Sequence, residues 1–365
     1  PVPRPRWLVP AASAGGMLAL MLAFGAAWML VWKPGPRPGA PSAPEPAAMV
    51  VPSVPVAPES SGLKPRLVLR GDQFMTAAVS GDGKMVAMAG PGKVSLFSGI
   101  DGSPLGEFKP GIDPRRLGIN QNGSAMIINH GEGRVAVHRL PSGELEASFA
   151  SSGTDIPGQW CGAGGDKLLF VADGKLMVAS PADGKWVEKS VTLPVPNGWK
   201  PEPITRFEAC PGSDRVAILF ADQLLGIVDI STDKRVQFTR GLAFPGGGQA
   251  RLLFWKNPDT CCLVSDRKVM EVEVREKGPR DATIWETPRA AMAFAWVGDN
   301  EYAIVSETGG VVPALSLGRR GKRQTHSELD VEGSRVESLA WIPASRSLAA
   351  FSRDGSVRLY TLPAQ

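Results

Sequence analysis

The sequence predicts an all-β protein, a seven-bladed β-propeller, from three observations. A strand unit of about forty residues recurs from Leu67 to Gln365, a period that is typical of propeller blades. Glycine recurs at the tight turns within the units, where a positive φ is needed. A lone strand at 66–71 stands before the first unit and belongs to no unit of its own.

The seven units align on their first strands. The last unit, VESLAWIPASRSLAAFSRDGSVRLYTL, gives three apolar strands separated by two turns, and the first, MTAAVSGDGKMVAMAGPGKVSLFSG, matches it. The first strands are marked by Ala78, Leu117, Trp160, Phe207, Leu253, Phe294 and Leu339. The markers lie about 39 to 47 residues apart, which is the range for blades of four strands.

The lone strand is predicted to close the ring. Most units carry a fourth strand, but the seventh cannot, because the chain ends three residues after Leu362. The segment RLVLRG, at 66–71, supplies the missing strand and leaves no unpaired sheet edge in blade seven.

The units resemble the WD-repeat family from Arg66 to Gln365, most closely in LAWIPASRSLAAFSRDGSVRLYTL. The chain is identified as a degenerate bacterial member with an N-terminal membrane anchor. The family's Trp-Asp ending is absent, since the corresponding positions read RLYTL, AVHRL and GIVDI, and its Gly-His dipeptide is missing. Its hydrogen-bonded His and Asp tetrad therefore carries over to no blade. The resemblance implies a seven-bladed shape and a scaffolding role without a particular ligand.

A membrane anchor is predicted ahead of the propeller. The domains are a flank at 1–6, a transmembrane helix at 7–32, a proline-rich linker at 33–65 and the propeller at 66–365. The run 7–32 carries no charge, is long enough to cross about 30 Å of hydrocarbon, and has tryptophans at both ends. A cleaved signal peptide is disfavoured, because the apolar run is too long and no small-x-small site follows it.

The linker and the orientation follow from the same region. Dense proline predicts an extended tether, about 90 Å long when fully stretched; a ligand for a proline-recognising domain is the alternative. The chain is predicted to be a single-pass membrane protein with the propeller outside the cytoplasm. Arg4 and Arg6 precede the apolar run, and Lys33 and Arg37 follow it. Because the positive charges on the two sides are equal in number, a propeller on the cytoplasmic side is the alternative.

Motifs for chemistry are missing from the sequence. It contains no phosphate-binding P-loop, no Gly-x-Ser-x-Gly and no His-Glu-x-x-His, so no catalysis, metal or cofactor is expected. The three histidines are interpreted as structural, with His130 in a hairpin turn, His138 on a third strand and His326 in a late basic stretch. The cysteines are interpreted as buried thiols, with a Cys161 to Cys210 disulfide as the alternative; Cys261 and Cys262 point to opposite faces of one strand.

Two groups of side chains are candidates for a binding surface. Trp160, Trp255, Trp296 and Trp341 recur with the blade period, which favours packing between sheets over a recognition platform. The segment LGRRGKRQTH gathers four cations after the third strand of blade six, and these are the predicted partner-binding residues, with a solvated hairpin tip as the alternative. The four residues are Arg319, Arg320, Lys322 and Arg323.

The sequence thus predicts a membrane-tethered scaffold or sensor module that binds protein or peptide partners on the propeller. A net charge of +4 does not favour nucleic acid. The alternatives are a propeller hydrolase or oxidoreductase with an unrecognised site, and the sensor part of a larger signalling protein, for example one with a kinase domain.

Overall fold

The computed structural model describes residues 63–362, except 72–73, 132, 153–155, 163, 194–197, 199, 201, 233, 240–243, 245–247, 276–281, 288, 299, 307–313, 321–326 and 332–333. The flank, the membrane segment 7–32 and the linker up to residue 62 lie outside the described residues. Among the described residues, no helix has the length and apolar character needed to span a membrane. The described part is almost entirely β, with one short 3-10 helix at Pro343–Ser345.

The strands form seven antiparallel sheets of four strands, one per predicted unit. The first strand in the chain is β1 (Leu67–Leu69). Blade one contains β2 (Thr76–Val79), β3 (Met85–Gly90), β4 (Lys93–Ser98) and β5 (Pro104–Phe108). Blade two contains β6 (Pro114–Ile119), β7 (Ala125–His130), β8 (Arg134–Arg139) and β9 (Leu145–Ala150). Blade three contains β10 (Gln159–Cys161), β11 (Lys167–Ala172), β12 (Lys175–Ala182) and β13 (Lys185–Ser190).

The remaining blades repeat this order. Blade four contains β14 (Ile204–Ala209), β15 (Arg215–Phe220), β16 (Leu225–Asp229) and β17 (Lys234–Thr239). Blade five contains β18 (Leu252–Asn257), β19 (Thr260–Ser265), β20 (Lys268–Glu273) and β21 (Ala282–Glu286). Blade six contains β22 (Ala291–Trp296), β23 (Glu301–Ser306), β24 (Ala314–Arg319) and β25 (Ser327–Glu328). Blade seven contains β26 (Val336–Ile342), β27 (Ser347–Ser352), β28 (Val357–Thr361) and β1.

The two ends of the described chain meet in blade seven, as the sequence predicts. β1 pairs antiparallel with β28, with Leu67 opposite Leu359 and Leu69 opposite Val357. Leu63, just ahead of β1, adds a contact that the sequence did not indicate: it forms a parallel bridge with Leu329, after the outer strand of blade six. Its amide donates to the Glu328 carbonyl at 3.2 Å. The N-terminal segment therefore fastens blades six and seven together.

The core is divided among the interfaces between blades. Each of seven apolar clusters draws its buried residues from two neighbouring blades, and together they run once around the ring. Leu69 and Leu359 pack with Met88 where blade seven meets blade one. Cys261 faces blade four and Cys262 faces blade six, so the prediction of opposite faces is confirmed. This ring of sheet-on-sheet contacts is the propeller architecture.

Bulges bend four of the first strands at the same place. In β6, β14, β22 and β26 the register with the second strand shifts at the second residue, which leaves one extra residue there. These extra residues are Arg115, Thr205, Met292 and Glu337. Since a bulge sets two consecutive residues against one partner, it re-aims the side chains at the start of the strand.

Blade seven contains a buried arginine with its own polar network. Arg358 on β28 is 1% exposed and donates from Nη1 to Ser352 Oγ at 3.1 Å and from Nη2 to Ser334 Oγ at 3.0 Å. Ser334 and Ser356 in turn donate to the carboxylate of Asp354. Burial alone raises the pKa of Asp354, but these hydrogen bonds outweigh it and hold the pKa at about 2. The network joins the turn between β27 and β28 to the loop that enters β26.

Candidate functional site

The first strand of each blade lines a central channel, with a cavity volume of about 1290 Å³. We call these seven the inner strands: β2, β6, β10, β14, β18, β22 and β26. The N-terminal mouth is the end of the channel at which the inner strands begin, and the C-terminal mouth is the end at which they stop. A concave site of this size is where a folded platform of this kind offers most contact to a ligand.

The recurring tryptophans pack between blades, so the prediction of a structural role is confirmed. Trp160 Nε1 donates to the Gly118 carbonyl at 2.9 Å and Trp255 Nε1 donates to the Glu208 carbonyl at 2.9 Å. Gly118 and Glu208 occupy equivalent positions, next to last on β6 and β14. The inner edge of a first strand carries backbone groups with no neighbouring strand, and these indoles satisfy two of them. Trp296 and Trp341 also contribute to the apolar clusters between blades.

Gln159 and Glu208 form a polar pair on the channel wall. The side chain of Gln159 receives a hydrogen bond from the Ala209 amide at 3.0 Å and donates to the Phe207 carbonyl at 3.1 Å, so it continues the free edge of β14 much as a strand would. It also donates to Glu208 Oε2 at 3.0 Å. Burial raises the pKa of Glu208 to about 7, because the opposing effects of Gln159 and Arg206 are smaller.

The raised pKa of Glu208 predicts a pH-dependent loss of stability. Below the ordinary carboxyl pKa of 4.5, the group is protonated in both the folded and unfolded chain. As the pH rises towards 7, only the unfolded chain releases the proton, so the folded state loses stability; above 7 the loss is constant. We therefore expect Glu208→Gln to raise the melting temperature relative to the native chain by an amount that grows from pH 4.5 to pH 7 and then levels off.

Thermal melts at half-unit pH steps test this expectation. Glu188→Gln, which removes one exposed carboxylate from β13, controls for the change in net charge and should follow the native pH profile. A pH-independent difference between Glu208→Gln and the native chain would contradict the assignment.

Exposed arginines surround the N-terminal mouth. Six of them lie within two residues of the start of an inner strand or on its first three residues, in blades two, four, five, six and seven. We call this set the arginine rim: Arg115, Arg116, Arg206, Arg251, Arg289 and Arg335. The same positions carry three carboxylates, Asp113, Glu202 and Glu337. Within the described part of the chain, Arg251 alone among the six forms an ion pair, with Asp266 at 2.9 Å.

The C-terminal mouth has a different charge arrangement. There Lys84 pairs with Asp82 at 3.7 Å, Lys167 with Asp214 at 2.7 Å, and Arg215 with Asp259 at 3.2 Å. The last two pairs link neighbouring blades, so they also help to hold the ring. Three cations at the C-terminal mouth are thus paired with carboxylates, whereas five of the six rim arginines form no ion pair among the described residues, so the two mouths differ in the charge that they offer to a ligand.

The four cations nominated from the sequence are only partly described. Arg319 ends β24 and pairs with Glu301 at 2.6 Å. Arg320 pairs through Nε with Oε1 of Glu271 at 3.2 Å. Lys322 and Arg323 lie outside the described residues. Both described arginines make ion pairs within the propeller, and partner binding by the four residues stays a prediction.

Glu271 is the centre of a buried ionic network. Its side chain is 8% exposed, and besides Arg320 it receives hydrogen bonds from Lys256 Nζ at 3.2 Å and Trp285 Nε1 at 2.8 Å. A bulge between Trp255 and Asn257 re-aims Lys256, whose Nζ lies 4.4 Å from the centre of the Trp296 ring. The network joins blade five to blade six beside the channel.

The histidines and cysteines do not assemble a reactive site in the described part. His130 is the last residue of β7 and is buried, so its placement in a turn is corrected. His138 lies on β8 as predicted, with Nδ1 3.0 Å from the Gly143 carbonyl oxygen, and burial lowers its pKa. His326 lies outside the described residues. No three metal-ligating side chains come together among the residues that the structure describes.

All four cysteines are buried free thiols, which confirms the leading interpretation over a Cys161 to Cys210 disulfide. Burial raises the pKa of Cys210 to about 11 and that of Cys262 to about 12. Burial also raises the pKa values of Cys161 and Cys261. Thiols of this kind are almost fully protonated at neutral pH and are poor nucleophiles.

The fold is similar to that of the β-propeller domain of Cps50 (Swd1) from Myceliophteria thermophila. The TM-score is 0.60 at 12% sequence identity, over 82% of this chain and 99% of that one. This similarity shows the fold alone. No family model matches the sequence, and no curated protein matches it. Membership of the WD-repeat family therefore stays a prediction, whereas the seven-bladed propeller is supported by both the comparison and the strand topology.

Sequence reasoning missed the arginine rim. Its members are spread from Arg115 to Arg335, singly or in one pair, so no local run of charge marks them. One signal was available: aligned on the first strands, an arginine recurs near the start of the unit in five of the seven blades. The periodic position of these arginines, rather than their local density, is the sequence feature that could have revealed this surface.

Proposed function

We propose that this chain is a protein-interaction scaffold that is tethered to a membrane and binds a protein or peptide partner on its propeller, without catalysis of its own. The observation that carries the proposal is the closed ring of seven blades. Its apolar residues are used between the blades, so the loops and the channel mouths are left as surfaces for a partner. Propeller folds support interaction roles in general.

The tether is the finer part of the proposal. It is supported by the sequence alone: the uncharged run 7–32 is long enough to span a bilayer, and the proline-rich segment that follows is suited to a spacer. In this arrangement the propeller faces the extracytoplasmic side. Retention of the full chain in membranes after alkaline extraction, and its release when 7–32 is deleted, is the expected result. Protection of the propeller from protease in right-side-out vesicles would overturn the orientation.

Site-specific photo-crosslinking in cells that express the full chain tests partner binding. Met75, beside the N-terminal mouth, and Val187, on the outer strand β13, are similarly exposed, at 56% and 54%. A crosslinker at position 75 is expected to give one discrete adduct that the same crosslinker at position 187 does not give. Identical adducts at both positions, or none at either, would count against a partner that docks at the channel.

A further inference from the structure

We propose that the arginine rim is a docking site for an acidic peptide segment of a protein partner, whose carboxylates pair with the rim guanidinium groups at the N-terminal mouth. This inference rests on the proposed scaffold function and gives it a partner chemistry. It begins from a contrast between the mouths: Lys84, Lys167 and Arg215 at the C-terminal mouth are paired with carboxylates, whereas five rim arginines form no ion pair in the described structure.

Bulges in the inner strands account for the exposure of three rim arginines. Arg115 is the extra residue of the β6 bulge, so Arg115 and Arg116 are both exposed although consecutive strand residues normally alternate. The corresponding bulge in β14 leaves Thr205 and Arg206 both exposed. Bulges at strand ends re-aim side chains and recur beside binding sites. Two separate blades thus carry exposed arginines at the N-terminal ends of their inner strands, and two of these arginines, Arg115 and Arg116, line the channel itself.

The residue type favours a carboxylate ligand. The positions from two residues before each inner strand to its third residue contain six arginines and no lysine. A guanidinium group presents its donors in a planar fork that matches a carboxylate with two parallel hydrogen bonds, which a lysine cannot do. Two methionines lie at the same mouth: Met75 is 56% exposed, and Met292 is partly buried against the cluster between blades six and seven. An acidic segment that also carries apolar residues matches both features.

The shape of the site favours a peptide over other polyanions. Arg115 and Arg116 line the channel, so a ligand contacts them together with the other rim arginines only when it is narrow enough to enter the opening. An extended peptide satisfies this condition, and the free inner edges of the first strands offer it backbone hydrogen-bonding groups. A nucleic acid duplex is wider than an extended chain, and a modest net charge of +4 does not suit a nucleic-acid-binding surface.

Fluorescence anisotropy with a labelled deca-glutamate peptide and the full chain in neutral detergent tests the inference. The native chain is expected to bind the peptide, and binding should weaken as salt is raised. The variant Arg115→Glu/Arg116→Glu/Arg206→Glu should bind at least about tenfold more weakly, because like charges then face the ligand. The matched control, Lys84→Glu/Lys185→Glu/Lys189→Glu, makes the same change in net charge away from the rim and should bind within about twofold of the native chain.

The milder variant Arg116→Ala/Arg206→Ala guards against misfolding of the triple variant and should also weaken binding, with an unchanged melting curve. No binding to the native chain, or equal loss in the rim and control variants, would overturn the inference. So would a DNA duplex or anionic vesicles that bind more tightly than the peptide through the same arginines. If crosslinking captures a partner that the rim variant still binds, the rim inference fails while the scaffold function stands; absence of any partner would instead remove the scaffold function.

Discussion

Deletion of residues 63–71 is expected to lower the stability of the propeller strongly. The segment contains β1, which pairs with β28, and Leu63, which bridges to blade six. Leu69 is 7% exposed and Leu67 packs beside it. Loss of their buried apolar surface costs about 3 kcal/mol or more, and the edge of β28 is left unpaired and open to aggregation. We expect the melting temperature to fall by about 5 °C or more.

The matched control deletes nine residues, 50–58, from the proline-rich segment ahead of the propeller. It should leave the melting temperature within about 1 °C of the native value, since a change in linker length has little effect on the free energy of unfolding. Differential scanning calorimetry of the three proteins makes the comparison. If the 63–71 deletion melts with the native chain, closure by β1 contributes nothing to stability.

Glu271→Ala is expected to destabilise the propeller by about 3 kcal/mol or more, because two cations then lose the carboxylate that neutralises them. Lys256 is the more affected of the two, since its side chain is only 11% exposed; Arg320, at 31%, gains partial compensation from water. Trp285 also loses the acceptor of its indole N–H. Chemical denaturation measures the free energy of unfolding for this variant.

Glu301→Ala is the control for this effect. It removes a carboxylate that pairs with Arg319, the neighbour of Arg320, but this pair is substantially exposed to solvent and its loss should cost less than about 1 kcal/mol. Glu271→Gln should fall between the two, because an amide can still accept the Trp285 hydrogen bond but carries no charge. Equal losses in the free energy of unfolding for Glu271→Ala and Glu301→Ala would show that the buried network contributes no more to stability than the exposed ion pair.

The strands were predictable because their signals are local. Apolar runs separated by turn residues mark each unit, and all seven first-strand markers lie on inner strands. The closing strand was predicted by counting strands, because the seventh unit lacks a fourth strand and the strand at 66–71 belongs to no unit. Packing of the tryptophans followed from their period. The membrane helix and linker stay predictions, because they lie outside the described residues.

The roles of the charged residues were less predictable, because whether a charged side chain is paired depends on contacts between residues that are distant in the sequence. Arg320 reads as a surface cation in the sequence, yet Glu271, nearly fifty residues earlier, pairs with it. The rim arginines read as isolated charges, and the ring brings them to one mouth. His130 reads as a turn residue because glycines follow it, although β7 extends to include it.

Closure by β1 also fixes when the ring can be completed. The pair Leu67 and Leu359 is separated by almost the whole propeller, so at about 5–20 residues per second the ribosome needs tens of seconds to make the partner of β1 after β1 itself. Six blades can assemble during that interval, whereas the first-made strand has no sheet to join. A chain crossing a membrane during synthesis would therefore reach the far side with its ring still open.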